Sequence, residues 1–446
     1  MIITGFRAEK VYGFLEFNIQ FNRDVSFLVG GNGSGKTTAL RLINAMVTPS
    51  FKDLLQIPFD QAWLMLEDGN ESHFISVMSD NGQKILHISG VPEKLVLPSY
   101  SSFEFEFMHR GADKVEEMME SLQLKYADHE VVKKIAKIQS PVFLGLDRNV
   151  GDGRGDRKDF YLEREMHVRS NNPRDIVSKR FARGALSTGL VETEILVQSA
   201  YRRLKELEDR QSMRLRDSIL LSSFKYSHYT GSSLPEILSQ QERARLLNRK
   251  TEIKLALSNI GVRNSKLGSE LDEFFEQVTT LFAGVAQQSN PNIAIEWLLN
   301  KTQIDRMSKI VELIDEHKSR VDDIFKPINS FLSTVNTFFK DSNKILELDA
   351  VGKLAVKRPD GTKTSIDGLS SGERQLLVIF AHAYLNQRVD RHSVFIIDEP
   401  ELSLHMSWQE KFSETIFSIN PNAQFIMATH SPEIVGVNKE KSINCR

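Results

Sequence analysis

The stretch Val25-Ser26-Phe27-Leu28-Val29-Gly30-Gly31-Asn32-Gly33-Ser34-Gly35-Lys36-Thr37-Thr38 decides how the chain reads. Val25–Val29 is a short apolar run that suits a buried strand. The glycines after it let backbone N–H groups turn toward phosphate oxygens, and the helical stretch Thr37–Met46 adds the partial positive charge of its N-terminus. Gly30, Gly35, Lys36 and Thr37 occupy the fixed positions of the phosphate-binding P-loop, in the required strand–loop–helix context. In such a loop the lysine contacts the β- and γ-phosphates and the hydroxyl ligates Mg²⁺. The candidate ATP-binding residues here are Gly30, Asn32, Gly33, Ser34, Gly35, Lys36, Thr37 and Thr38.

A second strand candidate, Val394-Phe395-Ile396-Ile397, ends in two carboxylates, Asp398 and Glu399. In open α/β sheets ligands sit at the carboxyl ends of strands. Asp398 is placed to hold Mg²⁺ together with Thr37, as a Walker B aspartate does. Glu399 is placed to polarise the attacking water as general base.

Leu369-Ser370-Ser371-Gly372-Glu373-Arg374-Gln375 is more specific. It resembles the ABC signature motif in the variant of SMC-like and DNA-repair ATPases. The resemblance implies that Ser370, Ser371, Gly372 and Glu373 form a nucleotide site, with Ser371 and the Gly372 backbone on the γ-phosphate held by the opposite protomer. Without it, Ser370-Ser371-Gly372-Glu373 reads as a helix cap. Thr429-His430-Ser431-Pro432 resembles the H-loop, which would put His430 on the γ-phosphate as a catalytic residue beside Glu399. Pro400-Glu401-Leu402-Ser403-Leu404-His405 resembles the D-loop that crosses the dimer interface in SMC-like and OLD-like ATPases. His405 ranks below Glu399 and His430, because interface packing accounts for it equally. The Q-loop of the family falls near Val142–Arg148, yet that strand holds no Gln. Gln139 lies just before it, and Asp147 or Arg148 is the alternative; Arg7 or Lys10 is a further candidate to approach the nucleotide.

These motifs sit at both ends of the chain. The expected fold class is α/β: an ABC-type P-loop NTPase domain formed by both ends, with a largely helical insertion. Residues 1–150 form the first half, 151–345 the helical bundle or short coiled coil, and 346–446 the second half. In the first half Ala62–Leu66, Phe74–Met78 and Lys84–Ile88 read as strands, with turns at Asp68-Gly69-Asn70 and Asp80-Asn81-Gly82. Val142–Leu146 reads as a further buried strand. The charged, glycine-rich Gly151–Lys158 reads as a loop, followed by helical spacing over Thr188–Leu221, Glu236–Ile260, Leu267–Gln288 and Gln303–Phe339. Pro235, Gly261, Pro291 and Pro327 punctuate these runs. In the second half, Lys344–Lys363 reads as a hairpin turning at Pro359-Asp360-Gly361, and Gly372–Asn386 and Met406–Ser418 as helices. Gln424–Ala428 is another buried strand; this alternation predicts a parallel sheet covered by helices.

Length and charge bound the rest. The 446 residues allow two or three domains of about 150 residues each. With 57 Lys+Arg against 59 Asp+Glu, no global charge argues for nucleic acid or membrane. Cys445 is the lone cysteine, so neither a disulfide within the chain nor a cysteine-based metal site is expected, in keeping with a cytoplasmic protein. No signal peptide or spanning apolar run is seen.

The order P-loop, signature, Walker B, D-loop, H-loop matches compact SMC- and OLD-like ABC ATPases of bacterial anti-phage systems, such as the ATPase subunits of PARIS and Septu. That resemblance implies ATP and Mg²⁺ as cofactors and a head-to-tail dimer, with higher oligomers open. It also implies a separate effector, a nuclease by the family pattern, controlled by a nucleotide-driven switch. OLD proteins continue past the H-loop into a nuclease domain, for which this chain leaves no room after His430. An SMC-like DNA-repair or DNA-clamping ATPase is the alternative. The runs Arg148–Arg183, Arg202–Arg216 and Arg243–Lys254 leave phosphate contact open, although such runs usually form solvated helix faces. A transporter motor is disfavoured by the helical insertion, and no membrane partner is expected.

Overall fold

Buried apolar runs need parallel neighbours on both sides, and the chain supplies them from its two ends. The computed structural model describes residues 1–48, 51–69, 71–98, 121–145, 150–151, 185–223, 239–259, 265–286, 291–386 and 393–445. By internal contacts these fall into two units, 1–199 with 330–446, and 200–329.

In the first unit, β3 (Val25–Val29) lies between β14 (Gln424–Ala428) and β15 (Ser442–Asn444). β13 (Val394–Asp398), β8 (Val142–Leu144) and β9 (Val150–Gly151) complete the order β15-β3-β14-β13-β8-β9. All of these pairings are parallel except β8 with β9. β13 and β14 are buried at every position, which is why their sequences run apolar without alternation.

A second sheet is antiparallel, in the order β2 (Leu15–Gln20), β1 (Ile2–Val11), β4 (Gln61–Asp68), β5 (Glu71–Asp80), β6 (Gln83–Ile88), β7 (Leu95–Leu97). The expected strands over 62–66, 74–78 and 84–88 are present and longer at one or both ends, and Asn81 and Gly82 turn β5 into β6 with φ of 48° and 80°. The other hairpin turn was placed on Asp68-Gly69-Asn70, of which Asn70 lies outside the described residues. Helix α1 (Lys36–Val47) packs on both sheets, and Leu40, Leu42 and Ile43 are fully buried in the shared core. Each such side chain contributes about 1.5–3 kcal/mol. Gln424 ties the sheets together: its amide accepts from Ile3 N at 2.8 Å and donates to the carbonyls of Ile3 at 2.7 Å and Asn22 at 2.8 Å.

A small meander, β10 (Ile345–Leu348), β11 (Leu354–Lys357) and β12 (Lys363–Thr364), carries the expected turn, closed by Gly361 N to Arg358 O at 2.9 Å. The second unit is helical, with Phe275, Val278, Trp297, Ile304 and Val311 in its core. Its helices include Gln240–Asn248, Lys250–Asn259 and Ser265–Ala286. Where one helix was expected over 236–260, the described part breaks at Arg249, whose guanidinium pairs with Glu252 and Asp315. Pro327 does not end its helix either; Pro291–Phe339 runs through it, whereas Pro291 takes the first helical position, where its missing N–H costs nothing. Lys205 pairs with Glu208 at 2.6 Å, and Lys250 and Lys254 share Asp272 at 2.7 and 2.6 Å, so several cations of the expected basic runs are locally neutralised. Pro235, Gly261, residues 152–158 of the expected loop and 152–183 of the first basic run lie outside the described residues. Among the described helices none is long and apolar enough to cross a membrane.

Candidate functional site

The parallel sheet brings β3, β13 and β14 to one end with their loops together. Gly35 caps α1 with φ of 87°, and a Cβ there would stand 2.7 Å from Phe17 Cζ and 2.9 Å from Leu15 Cδ1. Only glycine fits both the left-handed backbone and that close approach. Lys36 is 95 % buried and its ammonium donates to the carbonyls of Gly30 at 3.0 Å and Gly31 at 3.3 Å, curling the loop over itself. Thr37 Oγ1 donates to Asp398 Oδ1 at 3.2 Å, across 361 residues of sequence. Asn32, Gly33 and Ser34 line a groove of about 480 Å³, while Thr38 follows on the helix.

Burial pushes the Asp398 carboxyl up to about 6; Glu399 and Glu401 push the same way, and Thr37 and Lys36 oppose them. Its Oδ2, and Ser34 Oγ, are buried without a hydrogen-bond partner among the described residues. A divalent cation on Thr37 and Asp398, and a phosphate on Ser34, would satisfy both atoms, so the donor set fits Mg²⁺ with a nucleotide phosphate.

Glu399 has a left-handed backbone, φ 47°, with its N–H donating to Ala428 O at 2.9 Å. A non-glycine residue in that conformation is costly and marks a site where the chain is aimed. In the D-loop, Glu401 accepts from Thr429 Oγ1 at 2.9 Å and from the backbone N–H of His430 at 2.6 Å. That carboxylate therefore braces the H-loop and leaves the His430 side chain exposed at the same end of the sheet. Ser431 caps the next short helix and donates to Gln409 Oε1 at 2.7 Å.

The signature helix Ser371–Leu385 opens with a capping box. Ser370 Oγ accepts from Glu373 N at 3.3 Å, and Glu373 Oε2 accepts from Ser370 N at 2.7 Å. Glu373 also accepts from Ser342 at 2.7 Å and Lys344 at 2.8 Å. Burial raises its carboxyl, but Lys344, the Ser370 amide and Ser342 outweigh that and hold it below the usual range. Ser370 and Glu373 thus have the cap geometry that the residues alone suggested, and Ser371 stands exposed beside them. Arg374 donates to the carbonyls of Leu369 at 2.8 Å and Asp367 at 2.5 Å, fixing the loop that leads in.

Two expectations are corrected, those for Gln139 and for Arg7 or Lys10. Gln139 bonds Ser393 at 3.3 Å, at the end of β8 away from Asp398, so it does not reach the metal position. Arg7 pairs with Glu9 and stacks over Trp63, and Lys10 pairs with Asp60, all in the antiparallel sheet; neither joins the P-loop. His405 caps the helix Met406–Ile419 through Ser407, a structural role. Asp147 and Arg148 lie outside the described residues.

Sequence reasoning missed Phe14, Leu15 and Glu16, which line the groove opposite Asn32, together with Cys445. Tyr12-Gly13-Phe14, a turn with an aromatic residue 74 % exposed, was the available signal. Cys445 is buried, which pushes its thiol up to about 11.

The chain is 28% identical over 161 residues to the retron Vc95 probable ATPase of Vibrio cholerae, covering 32% of this chain and 30% of that protein. It is 26% identical over 142 residues to the retron Ec83 probable ATPase of Escherichia coli, covering 28% of this chain and 26% of that one. Against the endonuclease GajA of Bacillus cereus it is 24% identical over 179 residues, covering 37% of this chain and 29% of that protein. Each match thus spans less than a third of the relative. The family described as the AAA ATPase domain matches residues 1–435, and the chain belongs to that family.

Proposed function

We propose that the protein binds and hydrolyses ATP with Mg²⁺, closes into a head-to-tail dimer around two ATP molecules, and acts as a switch controlling a separate effector in anti-phage defence. The observation that carries the ATPase reading is the contact between Thr37 and Asp398, with the left-handed Glu399 next in the chain. When bound, Mg²⁺ supplies charge neutralisation at the transferring phosphate. Lys36 stabilises the β- and γ-phosphates, and the P-loop amides orient them. Glu399 takes the proton of the attacking water, and His430 orients that water. Ser371 and the Gly372 amide sit at a helix N-terminus, an anion site suited to the γ-phosphate of the other protomer.

Dimer, switch and effector rest on the resemblance of the motif set, supported by relatives named as retron ATPases and as an endonuclease. The test is a pull-down of tagged Glu399→Gln protein from its host with ATP present, read by native mass and protein identification. The expected result is a dimer holding two ATP and a second protein in fixed stoichiometry. Recovery of the bare dimer or of DNA alone would overturn the effector reading and favour a DNA clamp.

A further inference from the structure

We infer that Gln375 is a positioning residue for hydrolysis, holding the backbone that aims the Glu399 carboxylate. This rests on the reading of Glu399 as the general base. Gln375 is 96 % buried, one turn along the signature helix from Ser371 and therefore on the same helix face. Its amide donates to the carbonyl of Glu399 at 3.3 Å and to that of Pro400 at 2.9 Å. It also lines a small cavity with Leu144, Gly145 and Asp398, beside the metal position.

The need for such a brace lies in the backbone. Glu399 holds a φ of 47°, a conformation non-glycine residues leave unless the surroundings over-determine it. Its own amide bonds Ala428 at 2.9 Å on one side, and its carbonyl takes Leu402 N at 3.1 Å on the other. Leu402 lies three residues further along the same loop, so that bond closes a local turn and ties Glu399 to no other element. Gln375 is the contact that arrives from a helix, a rigid support. It also makes the residue that faces the other protomer's phosphate and the residue that holds this protomer's base part of one helical turn. A shift of the signature helix is then felt at Glu399.

Gln375→Met keeps the length of the side chain and removes the donor; Gln375→Asn keeps the buried amide and shortens the arm. Both are measured beside wild type, Glu399→Gln and Phe380→Leu, the last trimming a core ring that packs on Phe338 and Phe412 while leaving the Gln375 bonds and the helix in place. For either Gln375 variant that folds, kcat is expected to fall about tenfold or more, because small misplacement of a catalytic group is costly, with the KM for ATP within about twofold. Phe380→Leu lowers the melting temperature without that kcat loss. If both Gln375 variants turn over like wild type, or lose no more than Phe380→Leu at equal stability, the inference is wrong. If instead wild type shows no turnover, or Glu399→Gln matches it, the assignment of the base has failed and takes the inference with it.

Discussion

The α-carbon of Gly372 faces the carbonyl oxygen of Ser403 so closely that a methyl group placed on it would stand 2.4 Å away. The obstacle is backbone, and Ser403 is itself left-handed at φ 66°, so neither side yields cheaply. Gly372→Ala has to push the D-loop off the signature helix. The expected cost is about 1–3 kcal/mol in stability, with turnover reduced more than ATP binding. Differential scanning fluorimetry with a steady-state ATPase assay reads both; an unchanged melting temperature and rate would contradict the contact.

Lys36→Ala removes the cation that holds the Gly30 and Gly31 carbonyls and the counter-charge for phosphate. ATP affinity should fall at least about thirtyfold, the worth of a charge-assisted contact of about 2 kcal/mol. Titration with a fluorescent ATP analogue measures it. Glu399→Gln, in contrast, should bind the analogue as wild type does and lose about a hundredfold or more in turnover. Equal turnover in Glu399→Gln and wild type would remove Glu399 from the mechanism.

Glu401 holds two groups of the H-loop at once, the Thr429 hydroxyl and the His430 amide. Glu401→Ala leaves both without that acceptor and should lower kcat about tenfold, by freeing His430. Glu401→Gln keeps one acceptor oxygen and should stay within about threefold of wild type. A glutamine variant as slow as the alanine one would show that charge, rather than the hydrogen bond, is what matters there.

Lys84 is buried in the antiparallel sheet, its ammonium 3.3 Å from the centre of the Phe59 ring and 2.9 Å from the Phe59 carbonyl. Burial pulls its pKa from 10.5 down to about 8, against the opposing pull of Asp60. Folding therefore expels a proton between those values: the charged group destabilises the fold below pH 8, and the penalty fades as pH rises toward 10.5. Lys84→Met never carries the charge. Relative to Lys84→Met, wild type should gain on the order of 2 kcal/mol between pH 7 and pH 10. Denaturant titrations at the two pH values report this difference, in which the lost Phe59 hydrogen bond largely cancels. A difference independent of pH would refute the buried, shifted lysine.

The P-loop, the Asp398–Glu399 pair and the loop around His430 were legible because their chemistry demands particular residue types at strand ends. The hairpin at Asn81-Gly82 was legible because those residues tolerate positive φ. Other features were hidden for physical reasons. Ser370 and Glu373 suit both a phosphate site and a cap, and only the arrival of Ser342 and Lys344 shows how fully the cap employs Glu373. Gln375 and Gln424 act on backbone carbonyls far away in sequence, and nothing local marks a glutamine for that task. The division between the two units falls inside the continuous helices Ala185–Ser223 and Pro291–Phe339, where composition does not change.

The strand that leads into the P-loop is flanked on both sides by strands made about 400 residues later. During synthesis at about 5–20 residues per second, β3 waits roughly 20–80 s for β14 and β15. Throughout that interval the ribosome displays an apolar strand and a glycine-rich loop with no sheet to join. Until β14 and β15 emerge, β3 lacks both of its parallel neighbours, so the P-loop gains its sheet support only after about 400 further residues, and the unpaired edges of β3 are the part a chaperone would have to shield.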